Sequence, residues 1–115
     1  MDTNSNVIDV LSKVTSIKKD KVICCTIKVS NMTLIRLRDV LTEIGKIYKE
    51  ILDRQTYVAV ISGGFFKKNH AVMSIELLDD ELNIAVYADE GIINQHTCEG
   101  AINEFRRAIK EYIRE

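Results

Sequence analysis

The stretch Ala71-Val72-Met73-Ser74-Ile75-Glu76-Leu77-Leu78-Asp79-Asp80-Glu81-Leu82-Asn83-Ile84-Ala85-Val86-Tyr87-Ala88 decides the fold. Ala71, Met73, Ile75 and Leu77 alternate with Val72, Ser74, Glu76 and Leu78. Leu82, Ile84, Val86 and Ala88 then alternate with Asn83, Ala85 and Tyr87. A repeat of two places successive side chains on opposite faces of a strand. The acidic turn Asp79-Asp80-Glu81 is too short for a crossover, so the two strands form an antiparallel hairpin.

Working outward, Thr56–Ser62 is apolar on both sides, with Tyr57, Ala59 and Ile61 opposite Val58 and Val60. Such a strand needs cover on both faces. Its short connection to residue 71 makes the three strands a meander. Downstream, Ala101, Ile102, Phe105, Ala108, Ile109, Tyr112 and Ile113 recur at three and four, which predicts a helix from about Asn94 to Ile113. Upstream, Leu34, Leu37, Leu41, Ile44, Tyr48 and Ile51 keep helical spacing across residues 31–53, after a cap at Ser30. Ile35, Val40, Ile47 and Leu52 make that stripe wider than one sheet face requires, which leaves apolar surface to spare. Residues 22–29 read as a strand, with Cys24 and Cys25 on opposite faces. Val7, Ile8, Val10, Leu11 and Val14 read as a short helix capped by Ser5 or Asn6. A second strand is expected over 13–17, turning at Lys18-Lys19-Asp20-Lys21. The expected order is α-ββ-α-βββ-α: an α+β fold with a five-stranded antiparallel sheet and helices on both faces. The middle helix is expected on one face and the terminal helices on the other.

The chain has 115 residues, 46% of them hydrophobic and 29% charged. That composition is globular, and the length fits one domain spanning residues 1–115. A net charge of −1 argues against a nucleic-acid binder, whose affinity comes from neutralising phosphates. No apolar run is long enough to span a membrane, and the first residues do not resemble a signal peptide. Three cysteines, an odd number, fit reduced thiols and a cytoplasmic setting.

Chemistry-bearing constellations are sparse. Cys98 and His96 lie two residues apart, face different directions on a helix, and read as structural. The only other histidine is His70, so no metal site or cofactor is expected. Asp79, Asp80, Glu81, Asp89 and Glu90 suit turn hydrogen bonding and lack calcium-loop spacing. Residues 63–70 read as a hairpin whose Phe65, Phe66, Lys67 and Lys68 form a candidate loop for gripping a partner.

Tyr57-Val58-Ala59-Val60-Ile61-Ser62-Gly63, then Asp80-Glu81-Leu82-Asn83-Ile84-Ala85-Val86-Tyr87-Ala88-Asp89 and the final amphipathic helix, resemble the second half of the roadblock / dynein light chain family, which is related to profilin-like and longin folds. The resemblance implies a non-catalytic dimer formed by the middle helices and the third strands. The interface residues would then be Leu34, Leu37, Val40, Leu41, Ile44, Tyr48, Tyr57, Ala59 and Ile61. It also implies a scaffold or regulator whose partner is another protein, such as a small Ras-like GTPase. The competing readings are a small enzyme or ligand-binding domain using Cys98, His96 or the acidic turns, and a weak nucleic-acid or membrane-surface binder using the hairpin over 63–70.

Overall fold

The alternating runs become a five-stranded antiparallel sheet in the computed structural model, which describes residues 5–14, 22–62, 70–88 and 94–114. Helix α1 (Ser5–Val14) and strand β1 (Ile23–Lys28) precede helix α2 (Leu34–Ile44). Strands β2 (Gly45–Ile51), β3 (Thr56–Ser62), β4 (His70–Leu78) and β5 (Glu81–Tyr87) follow, and helix α3 (Asn94–Arg114) comes last. The sheet order is β1-β5-β4-β3-β2, with every neighbouring pair antiparallel. A single 3-10 turn, Leu52–Arg54, joins β2 to β3.

Register aligns the apolar positions. Ile75 lies between Tyr57 and Ile84, and Met73 between Ala59 and Val86. These residues form one continuous apolar layer. Leu37, Val40 and Leu41 of α2 close over it, together with Ala101, Phe105, Ala108 and Ile109 of α3. The other face is smaller and mixed. There α1 lays Val7 and Leu11 on Ala85 and Tyr87, with Val72 and Cys24 packed at the margin. Cys24 and Cys25 do point to opposite faces, each packing against a different core. All three cysteines are present as thiols, and Cys98 is fully buried.

The class is as expected: α+β, a five-stranded antiparallel sheet with helices on both faces. Five local assignments differ from the expectation. First, the helix expected over 31–53 stops at Ile44. Gly45 ends it, its N–H bonding the Leu41 carbonyl, and the chain then turns extended to pair with β3. A Cβ at Gly45 would run into the Val60 carbonyl oxygen, so only glycine lets the strand start this close to its neighbour. Second, the cap of α2 is Thr33, not Ser30, and its hydroxyl accepts from the Arg36 N–H at 3.2 Å. Asn31 bends the chain before it with φ 57°, a conformation asparagine tolerates.

Third, α3 shares its face with α2, and α1 stands alone on the other. The broad stripes of α2 and α3 match the wholly apolar face. The short strip of α1 suits the mixed one. Fourth, Ser5 and Asn6 lie within α1 and do not precede it. The strand expected over 13–17 also meets α1: Lys13 and Val14 are its last turn, while 15–17 and the turn at 18–21 lie outside the described residues.

Candidate functional site

Three of the large apolar side chains left exposed lie on α2, on β2 and just past it, around the corner where Arg38 of α2 meets Glu50 of β2. Ile35, on the first turn of α2, is 75% exposed; Tyr48, on β2, is 66% exposed; and Leu52, just past β2, is 58% exposed. The sequence signal for Ile35 and Leu52 is the overwide stripe, of which they are surplus, whereas Tyr48 belongs to the stripe itself. A single continuous helix would have put Tyr48 on the core side. The register shift between Ile47 and Lys49 leaves it unpaired at a bulge instead.

Two contacts join the elements at this corner. Arg38 Nε lies 3.3 Å from Glu50 Oε1 and ties α2 to β2. Beneath it, the Tyr57 hydroxyl donates to the Leu34 carbonyl at 3.0 Å. Burial raises the Tyr57 pKa above its ordinary value, and the Glu50 charge adds to this while Arg38 opposes it. The hydroxyl therefore stays protonated and keeps its bond. Strand β2 is the last in the sheet and pairs only with β3. Lys46, Lys49 and the bulge sit along that strand, features that blunt an edge against strand addition.

The residues expected at a dimer interface divide sharply. Leu37, Val40, Leu41, Ala59 and Ile61 are fully buried and Tyr57 nearly so, all within this chain's own core. Leu34 and Ile44 are partly buried against the same core. Strand β3 is flanked on both sides, by β2 and β4, so its backbone has no free edge to offer a partner. Of the expected set, only Tyr48 stands exposed. The reason is the break at Gly45: the stripe of one long helix becomes a core face on α2 and a separate edge strand. Phe65, Phe66, Lys67 and Lys68 lie outside the described residues, as do Asp89, Glu90 and the side chains of His70 and His96.

A groove of about 500 Å³ between α2 and α3 is lined by Glu43, Ile44, Gly45, Glu104, Arg107, Ala108 and Glu111. Arg107 bridges Glu104 at 2.6 Å and Glu111 at 2.9 Å, and these two carboxylates hold the guanidinium more firmly charged. Asp39 Oδ2 accepts from the Tyr112 hydroxyl at 3.2 Å near the same groove. Cys25 is half-buried. Burial pushes its thiol pKa up, and Arg106 only partly offsets that, so it is no activated nucleophile. Cys98 is sealed in the core and has no access to a substrate.

On the opposite face, a polar ladder runs across five elements, α1, β3, β4, β5 and β1. Asn6 Nδ2 donates to Thr56 Oγ1 at 3.0 Å and to Glu76 Oε2 at 2.8 Å. Asn83 Nδ2 donates to Glu76 Oε1 at 3.0 Å, and Thr26 Oγ1 donates to Asn83 Oδ1 at 3.2 Å. Arg54 Nη1 reaches Asp9 Oδ2 at 3.1 Å, and Asp9 also pairs with Lys13 at 3.2 Å. No local sequence pattern marks this ladder, because its members are scattered between residues 6 and 83 and meet only through register.

Among the described residues, no group of His, Cys, Asp and Glu is arranged to hold a metal ion, and no helix is long and apolar enough to cross a membrane. No protein-family model, curated protein or solved structure matches this chain.

Proposed function

We propose that this chain is a non-catalytic interaction module that associates with itself and with a second protein through the α2–β2 corner. The observation that carries this reading is that Ile35, Tyr48 and Leu52, three of the four large exposed hydrophobic side chains among the described residues, lie on α2, on β2 and on the turn just past β2. Exposed apolar side chains scattered singly are ordinary, whereas several on consecutive elements favour a contact surface. The blunted edge of β2 directs association to side chains and away from strand pairing. The roadblock-like resemblance suggests a small Ras-like GTPase as the class of second partner. The odd cysteine count supports a reducing, cytoplasmic setting.

The test is molar mass by light scattering over a dilution series, for the wild type and for the paired variant Ile35→Glu/Leu52→Glu. Both substituted positions are exposed, so circular dichroism should be unchanged. The wild type is expected to exceed the 13.1 kDa of one chain at high concentration, and the variant to stay at that mass. A wild type that remains one chain at every concentration removes self-association. A variant that associates as well as the wild type moves the contact away from this corner.

A further inference from the structure

We propose that α1 is a displaceable cover: it lifts from the sheet as a unit while the strands, α2 and α3 stay folded. The inference is independent of the association proposed above. Four observations carry it.

The first is the helix itself. It has ten residues, and Val7, Ile8, Val10 and Val14 are β-branched. Helices this short are marginal in water, and β-branched residues lower the propensity further. Its existence therefore depends on docking.

The second is the size of the contact. Among the described side chains of α1, only Val7, Val10 and Leu11 are fully buried. Val7 and Leu11 join Ala85 and Tyr87 in a cluster separate from the large core under α2 and α3. Losing it leaves that core and all strand ladders in place.

The third is what lies beneath. The sheet face on the α1 side carries the polar Thr56, Ser74, Glu76 and Asn83 beside the apolar Val58, Val72, Ala85 and Tyr87, while the facing positions of the other side are apolar. Uncovering the polar side chains returns them to water, so exposing this mixed face costs less than exposing a wholly apolar one. Ser74 makes this explicit. Its hydroxyl is fully buried and has no hydrogen-bond partner among the described residues, and lifting α1 would hydrate it.

The fourth is the fastening. Beyond its apolar strip, α1 is held by side chains near its N-terminal end, Asn6 to Thr56 and Glu76 and Asp9 to Arg54. The Asp9–Arg54 pair is solvent-exposed and screened, so the Asn6 amide is the stronger clasp. One clasp at one end lets the helix leave as a single piece.

The test is native-state alkylation with N-ethylmaleimide on the full chain, read by peptide mass spectrometry. Ser74→Cys puts a thiol of similar size beneath α1. Ala59→Cys puts one on the opposite face of the neighbouring strand, under the main core. The thiol at position 74 is expected to react at least about tenfold faster than the one at position 59, because local opening requires less free energy than global unfolding. Adding Asn6→Ala should accelerate position 74 and leave position 59 unchanged. Equal rates at the two positions, or rates that rise together with Asn6→Ala, would overturn the proposal. If either cysteine variant fails to fold, amide hydrogen exchange on the wild type decides the matter. Exchange of the Val10 and Leu11 amides faster than those of Met73 and Val86 supports a displaceable cover, and matched exchange refutes it.

Discussion

The two faces of the sheet are built from the same strands yet differ in kind. On the α2–α3 face, Tyr57, Ala59, Ile61, Met73, Ile75, Ile84 and Val86 present an unbroken apolar layer. On the α1 face, their sequence neighbours include Thr56, Ser74, Glu76 and Asn83. Period-two alternation lets each strand specify two surfaces independently. One surface carries the stability of the fold. The other carries a polar network with a small helix set over it.

The comparison can be broken most severely at Phe105, which is fully buried at the centre of α3's core contact. Phe105→Ala is expected to cost about 3–5 kcal/mol in urea unfolding. Leu11→Ala removes an equally buried side chain from the α1 face. A buried leucine of this kind commonly costs about 2–5 kcal/mol, yet here the loss is limited to what docking α1 contributes, and about 1–2 kcal/mol is expected. Equal losses at the two sites would show one cooperative core, not two.

Smaller effects sharpen the contrast. Ser74→Ala removes a buried hydroxyl that has no partner among the described residues and should leave stability unchanged or raise it by up to about 1 kcal/mol. A loss greater than that would mean the hydroxyl has a partner after all. The smallest effect is in acid. Hydrogen bonds from Arg54 and then Lys13 depress the Asp9 pKa below 3.8. A depressed folded-state pKa gives stability that is present above the unfolded value and lost as pH falls through the folded one. Amide shifts of α1 should therefore hold constant down to about pH 4 and move below it. Asp9→Asn should abolish that titration and leave the shifts of β4 and β5 untouched.

Much of this was legible in the sequence. The runs at 56–62 and 71–88 became β3, β4 and β5 within a residue of their expected bounds, because strict alternation and short turns admit one arrangement. Helix α3 runs from Asn94 as expected, with Ala101, Ile102, Phe105, Ala108 and Ile109 buried. The middle of the chain misled for a physical reason. In Gly45-Lys46-Ile47-Tyr48-Lys49-Glu50-Ile51, spacings of four join Ile47 to Ile51 and Ile44 to Tyr48, while Ile47, Lys49 and Ile51 also fit a strand. Seven residues cannot separate those periods. Gly45, directly after the last buried turn, was the stop signal. The exposed corner was half legible. The excess width of the stripe gave it away, but only the break at Gly45 decides that Ile35, Tyr48 and Leu52 are its outward members and Leu37, Val40 and Leu41 its inward ones. The polar ladder was not legible, since no local pattern links Asn6 to Glu76.

The strand order has a consequence for how the chain reaches this state. Strands β2, β3, β4 and β5 each lie beside their neighbour in sequence, so their ladders close small loops. Strand β1 instead pairs with β5, Ile23 opposite Val86, and Val29 N–H reaches the Asp80 carbonyl at 2.8 Å. That pairing encloses most of the molecule. Loop-closure entropy grows slowly, by about 0.6 kcal/mol per doubling of length, but it must be met before any contact of β1 repays it. The topology therefore assigns the meander to the early, local part of folding and β1 to the late, non-local part. Until β1 arrives, one edge of β5 stands open. That edge, and not the blunted edge of β2, is where an incompletely folded chain is most exposed to pairing with another.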